Sequence, residues 1–244
     1  MIAVVGSEAL PSVVGVVFDG DDTLWSTEFL YDEARNAARR IVANAGMDGA
    51  AWEGLERRID VQNVATMGFS TKRFPRSCVQ AYEQLCVERS AFPEPAVSLE
   101  IQAAARSVFE RDAPLVANAR KALTDLRDKG RRLALLTKGD HEMQVRRIET
   151  SGLQDLFEVI EIVPEKSPAV IRSVVERLGV GVRNAWMVGN SVPSDLIPAL
   201  EAGLRAVWID AHVWEYERDG SHTVEGPWTA LSTLTDLGSV IHGE

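Results

Sequence analysis

The stretch Val13-Val14-Gly15-Val16-Val17-Phe18-Asp19-Gly20-Asp21-Asp22-Thr23-Leu24 runs from β-branched apolar residues straight into three carboxylates. Val13, Val14, Val16, Val17 and Phe18 have the character of a short strand buried on both faces. Asp19 then stands at the C-terminal end of that strand, the end of an open α/β sheet where ligands usually bind. Gly20 lets the chain turn sharply between Asp19 and Asp21. The acidic cluster is therefore placed for chemistry.

Working outward, the next segment is helical. Phe29, Leu30, Ala34, Ala37, Ala38, Ile41 and Val42 recur at three- and four-residue steps up to Gly46. Three further amphipathic patterns carry Trp52, Leu55 and Ile59, then Val79, Tyr82 and Leu85, then Val97, Ile101, Ala104, Ala105 and Val108. Four helices in a row predict a small bundle. A mixed polar and aromatic loop, Ala65–Pro75, is expected between the second and third, and such loops often face a site.

From Pro114 strand and helix alternate. Asn118 is expected to cap a helix through Leu123 and Leu126 that stops at Gly130, and Leu133–Leu136 reads as a buried strand ending at Thr137. Asp140 starts a helix to Gly152. Phe157–Val163, Ala185–Val188 and Leu204–Ile209 read as strands, with a helix to Leu178 after the first. This alternation predicts a parallel sheet. The tail, with His212, Trp214, Tyr216 and Trp228 and then Leu231, Leu234, Leu237 and Ile241, is expected to pack along the sheet's edge.

Composition narrows the classes of function. The 244 residues suffice for an α/β domain with a large insertion, and 45% hydrophobic with 25% charged residues is ordinary globular composition, which gives no support to disorder. A net charge of -10 without a Lys/Arg stripe argues against nucleic acid as partner. Cys78 and Cys86 lie eight apart on one predicted helix with no second pair nearby, and are read as reduced thiols of a cytoplasmic protein. Met1–Val5 lacks a basic region and a cleavage pattern, and no apolar run approaches the ~20 residues of a membrane helix. A soluble chain without a membrane partner is expected.

Three later strand ends carry Thr137, Lys166 and the loop Gly189-Asn190-Ser191-Val192-Pro193-Ser194-Asp195. With Asp19-Gly20-Asp21-Asp22-Thr23, these resemble, in order and spacing, the four motifs of the haloacid dehalogenase-like superfamily. The resemblance runs from Val13 to about Ile209. It implies a Rossmann-like α/β fold: a parallel-sheet core with helices on both faces, formed by residues 1–25 and 113–244, plus a small helical cap, 26–112, inserted after the first motif. Only twenty-eight residues separate Thr137 from Lys166, which leaves no room for a second cap there.

The same resemblance implies a chemistry that suits these residue types, since phosphoryl transfer is mostly positioning and charge neutralisation. Asp19 would attack phosphorus to form an aspartyl-phosphate, and Asp21 would protonate the leaving oxygen and then deprotonate the hydrolytic water. Thr137 would hydrogen-bond a phosphoryl oxygen and Lys166 would neutralise charge. Mg²⁺ would be held by Asp19, the backbone carbonyl of Asp21, and Asp195. Two departures from the family pattern matter. Asn190 stands where many members carry Asp, so one carboxylate fewer would surround the metal, although Asn190 can offer a carbonyl oxygen. Lys138 stands where Asn is frequent, and either contacts phosphate and substrate or is simply solvated.

An isolated Asp-x-Asp-x-Thr is a weak signal, because an acid after a strand often only caps a helix. Its conjunction with Thr137, Lys166 and Asp195 is what carries the expectation of a Mg²⁺-dependent phosphatase acting on a small phosphorylated metabolite. A 2-haloacid dehalogenase would share the nucleophile but has no need of Asp21 or Asp195. A phosphomutase, a phospho-accepting receiver domain and a non-catalytic binding protein are the remaining alternatives. Asp22 reads as a turn or capping residue, Trp25 as core or pocket wall, and Trp186 and Trp208 as core. Phe69, Lys72 and Arg73 read either as substrate contacts or as a solvated loop. His141 and His212 have no metal-site spacing. Substrate identity and oligomeric state are not encoded in any motif.

Overall fold

A computed structural model describes residues 13–211 and 224–241, so the expectations for Met1–Val5, His212, Trp214 and Tyr216 lie outside the described residues. Among the described residues the sheet has six parallel strands: β1 (Gly15–Phe18), β2 (Arg132–Lys138), β3 (Val159–Val163), β4 (Ala185–Gly189), β5 (Arg205–Ile209) and β6 (Trp228–Leu231). Their spatial order is β3-β2-β1-β4-β5-β6. This is an α/β Rossmann-like architecture, and its order reverses between β1 and β4.

Alternation along each strand feeds two apolar layers. Val16 and Phe18 of β1, Leu133 and Leu135 of β2, and Trp186 and Val188 of β4 pack on one face against α5 (Ala119–Asp128) and α6 (His141–Ser151). Val17, Ala134, Leu136 and Met187 point to the other face, under α7 (Pro168–Arg177) and α8 (Ile197–Ala202). The register aligns Phe18 with Leu135 and with Val188, so the chain leaves β1 at Asp19 level with the end of β4 and two residues short of the end of β2. The Asp19 amide donates to the Val188 carbonyl at 2.9 Å and extends that ladder by one rung.

The four helices after β1, α1 (Glu28–Asn44), α2 (Gly49–Met67), α3 (Arg73–Glu88) and α4 (Pro95–Glu110), enclose a separate apolar core. Leu30, Ala34, Ala38 and Val42 form the buried stripe of α1, facing Trp52, Tyr82, Ile101 and Val108. Cys78 and Cys86 are buried there as free thiols. The chain enters and leaves this unit at one place. Ser26 N donates to the Pro114 carbonyl at 2.8 Å and Val116 N to the Leu24 carbonyl at 2.9 Å, with Trp25 and Leu115 bridged antiparallel.

Two expectations are corrected and a third is extended. The Ala65–Pro75 loop shrinks to residues 68–72, because α2 continues to Met67 and α3 begins at Arg73. Pro75 is no obstacle, since a first-turn residue has no intrahelical amide bond to lose. Asn118 does not cap α5 with its side chain; it adopts a left-handed backbone (φ 65°), and its amide donates to Thr235 Oγ1 at 3.1 Å instead. The tail does more than lie along the edge: β6 joins the sheet beside β5, and Leu234, Leu237 and Ile241 enter the core under α5. Among the described residues, no helix is long and apolar enough to cross a membrane.

Candidate active site

Asp19, Asp21, Thr137, Lys138, Lys166, Asn190 and Asp195 all line one cleft at the C-terminal ends of the strands, a space of about 130 Å³ roofed by α1–α4. The positions singled out from the sequence come together, across separations of up to 176 residues (19 to 195). At the centre is a buried charge cluster. Lys166, just beyond β3, donates to Asp19 Oδ1 and to Asp195 Oδ1, the latter at 2.7 Å. Burial alone would favour the neutral amine, but the two carboxylates outweigh it and hold Lys166 protonated.

For Asp19 burial wins. It raises the carboxyl to about 7, helped by the neighbouring Asp195 and Asp21 charges and opposed by Lys166. The second Asp19 oxygen accepts from Thr23 Oγ1 at 3.1 Å. Thr23 also reaches Asn190 Oδ1 at 3.3 Å, so an Asp19 oxygen and the Asn190 carbonyl oxygen flank one hydroxyl. Asn190 is oriented further by its backbone carbonyl, which accepts from Trp208 Nε1 at 2.8 Å.

Asp195 is fully buried in a π-helical turn, Val192–Leu196, of the sort that often re-aims a functional side chain. Its Oδ2 accepts from the Ser191 amide at 3.0 Å. A Cβ on Gly189 would fall 2.2 Å from that oxygen, so only glycine at the end of β4 leaves Asp195 its place. Gly20 is constrained similarly, because a Cβ there would meet the Trp25 ring at 2.4 Å and Thr137 Oγ1 at 3.2 Å.

Thr137 closes the cleft from the end of β2. Its Oγ1 is buried and has no hydrogen-bond partner among the described residues. A buried hydroxyl left unpaired costs free energy on the order of 1–3 kcal/mol, which an incoming oxygen would recover. Lys138 is not simply solvated: its Nζ donates to Ser194 Oγ at 2.5 Å and lies 4.6 Å from the Phe69 ring centre.

Asp21 lines the same cleft but is held by a different set of donors. Its Oδ1 accepts from Trp25 Nε1 at 2.6 Å, and its Oδ2 accepts from Gln144 Nε2 at 2.9 Å and Arg147 Nη1 at 2.6 Å. Asp22, with φ 58°, caps α1: Oδ1 accepts from the Thr27 and Glu28 amides, and Oδ2 from Thr27 Oγ1. Burial lifts the Asp22 carboxyl to about 6, against those hydrogen bonds. Gln144 and Arg147 were not anticipated from the sequence. The available signal was two polar residues, three apart, in phase with the buried Met143, Ile148 and Ser151 of α6.

The roof also contributes. Phe69 and Arg73 border the cleft, whereas Lys72 does not. Tyr31, Arg35 and Asp60 border it as well, although Arg73 is engaged with Asp60 and Arg35 with Glu28 and Glu56. Among the described residues there is no cluster of three His, Cys, Asp or Glu side chains arranged to hold a metal. The donors that do converge are two carboxylates, Asp19 and Asp195, and the Asn190 carbonyl, because the Asp21 side chain is occupied elsewhere. All are hard oxygen ligands, and the set fits a small dication that keeps several waters.

A family model for haloacid dehalogenase-like hydrolases matches residues 13–203. A glyceraldehyde 3-phosphate phosphatase from Methanothermobacter thermautotrophicus is 24% identical over 233 residues, covering 93% of this chain and 98% of the relative. A phosphoserine phosphatase from Thermus thermophilus is 33% identical over 105 residues, 41% of this chain and 42% of the relative, so that match spans less than half of either protein. Among solved structures, a haloacid dehalogenase-like family hydrolase from Xanthomonas campestris superimposes with a TM-score of 0.76 at 25% identity, covering 95% of both chains.

Proposed function

Because the chain belongs to the haloacid dehalogenase-like hydrolases, we propose that its cleft hydrolyses a small phosphate monoester, with Asp19 as nucleophile and Asp21 as acid and base. The observation that carries this reading is the unpartnered, buried Thr137 hydroxyl beside the Asp19–Lys166 pair. A phosphoryl group needs an attacking carboxylate, a cation and a hydrogen-bond donor on one side, and these three supply them.

In the proposed sequence an Asp19 oxygen forms a bond to phosphorus as the ester P–O bond breaks, and Asp21 delivers a proton to the departing oxygen. Water then attacks the aspartyl-phosphate, giving its proton to Asp21 and regenerating the Asp19 carboxylate. Lys166 holds charge on the Asp19 side throughout, and Thr137 donates to a phosphoryl oxygen. Lys138, tethered to Ser194 and Phe69, meets the same group or the rest of the substrate. Asp19, Asp195, Asn190 and the Asp21 backbone carbonyl would hold Mg²⁺, which when bound supplies neutralising charge at the phosphoryl oxygens. Residues 26–112 act as a cap that shields the reaction from water, on core residues 1–25 and 113–244.

The test is phosphate release from a panel of phosphorylated metabolites with Mg²⁺, beside Asp19→Asn and Asp21→Asn. At least one small monoester should be turned over, with a loss of at least about 10³-fold for Asp19→Asn. Halide release from a 2-haloacid, isomer formation without free phosphate, or turnover that survives the Asp19 change would each replace this reading.

A further inference from the structure

We propose that Trp25, Gln144 and Arg147 are positioning residues that aim the Asp21 carboxylate and leave a single acceptor site, on Oδ1, for the proton exchanged with substrate. The inference rests on the acid and base role given to Asp21 above.

An ionised carboxylate offers about four acceptor directions, two on each oxygen. Gln144 and Arg147 fill both on Oδ2, and the Trp25 indole fills one on Oδ1. What remains is one direction on Oδ1, on a side chain that is still 30% exposed. The proton that reaches the leaving oxygen, and the one later taken from water, both pass through that position. Proton balance then needs no other group: Asp21 gives one proton as the ester bond breaks and regains one as water attacks phosphorus.

Each donor is itself fixed from elsewhere. The Trp25 ring lies against Gly20 and its backbone pairs with Leu115. Gln144 Nε2 donates a second bond to the Lys138 carbonyl at 3.1 Å, which ties the Asp21 donor to the end of β2. Gly139, at φ 138°, passes so close that a Cβ would lie 3.1 Å from that nitrogen. The Arg147 side chain is only 6% exposed and also interacts with the Tyr31 hydroxyl. A buried ion pair is by itself a weak stabilising device, since desolvation opposes it. The placement of Arg147 is explained instead by the orientation it imposes on Asp21.

The experiment compares kcat/KM on two probes of nearly the same shape, 4-nitrophenyl phosphate and phenyl phosphate. The first expels a stabilised phenolate that needs little protonation, and the second depends on the acid. Trp25→Phe removes the N–H and keeps a smaller aromatic ring; Gln144→Met and Arg147→Met remove the donors to Oδ2; Arg147→Lys restores a donor. Unfolding midpoints identify any variant whose loss is only structural, and Gln144→Met and Arg147→Met report on the same oxygen independently. The expected result is a loss of about 10-fold or more on phenyl phosphate and less than about threefold on 4-nitrophenyl phosphate, with Arg147→Lys recovering part of it. Equal losses on both probes, or none, overturn the assignment. If Asp21→Asn shows the leaving-group asymmetry and the three donor variants do not, the positioning role alone fails. If neither these probes nor any panel monoester is hydrolysed, or Asp19→Asn is fully active, the phosphatase reading fails and this inference goes with it; if only a panel monoester is turned over, its alkoxide leaving group takes the place of phenyl phosphate, and donor variants with wild-type kcat/KM on it overturn the assignment.

Discussion

Two buried charge clusters in this protein use the same parts and come to different ends. Under the strand ends, Lys166 bridges Asp19 and Asp195. In the helical unit, Arg35 bridges Glu28 and Glu56, and nearby Arg73 grips Asp60 with two nitrogens while Ser77 donates to the same carboxylate. Arg35 and Arg73 even border the cleft. The difference lies in what each cluster has left over. Arg73 spends its remaining nitrogen on the Gly68 carbonyl, tying α2 to α3, and Glu56 Oε1, which has no partner among the described residues, does not line the cleft, whereas the strand-end cluster shares the cleft lining with the unpartnered Thr137 hydroxyl. A buried ion pair is therefore no signal of function by itself; unspent bonding capacity facing a cleft is.

This contrast can be broken by substitution. The largest effect expected is for Asp19→Asn: phosphate release should fall at least about 10³-fold while the unfolding midpoint is unchanged or higher, since a carboxylate raised by burial has been neutralised. A large drop in midpoint, measured by circular dichroism, would place Asp19 with the structural pairs. Arg73→Met should do the reverse, costing about 3–5 kcal/mol by stranding buried Asp60. The activity of the remaining folded enzyme, read at a temperature well below the transition, should stay within a few-fold.

Glu56 sharpens the comparison through pH. It is fully buried with one oxygen unpartnered among the described residues, and burial lifts its carboxyl from 4.5 to about 7 against the pull of Arg35. Between those values the folded protein holds a proton that the unfolded chain has released. This contribution is full below pH 4.5 and is lost as pH rises through about 7. The midpoint of the wild type, measured relative to Glu56→Gln, should therefore fall by several degrees between pH 5 and pH 8; a flat difference would mean that Glu56 stays ionised beside Arg35. The smallest effect is assigned to Lys138→Gln, with KM for the best monoester raised about threefold to tenfold and kcat nearly unchanged. An unaltered KM would return Lys138 to a tether for Ser194 and Phe69.

The strand-end residues were legible because the sheet forces them to be. A parallel strand buried on both faces announces itself in Val16-Val17-Phe18 or Leu133–Leu136, and whatever follows it is delivered to one edge. Residues that act from helices were hidden. Gln144 and Arg147 look like ordinary polar positions until the buried face of α6 is known, and the ion pairs of the helical unit need the packing of α1, α2 and α3 to exist. β6 was missed for a different reason: it is four residues long at the sheet's edge, largely exposed, and carries no alternation to read.

The paired crossing at Trp25 and Leu115 has a further consequence for how such a chain is assembled and modified. Because both ends of the helical unit meet in a short hydrogen-bonded ladder, its removal leaves two adjoining chain ends in place of a wide gap. The sheet sees the helical unit as a single extrusion from one point on its rim. A short turn spliced between Leu24 and Val116 would close the loop with little entropic penalty, and conversely a different extrusion could be grafted at the same seam without re-registering any strand. The seam is, in effect, a socket, and the Trp25 indole that reaches from it to Asp21 is a wire a replacement would have to reconnect, along with the Arg146 bonds to the Phe109 and Glu110 carbonyls.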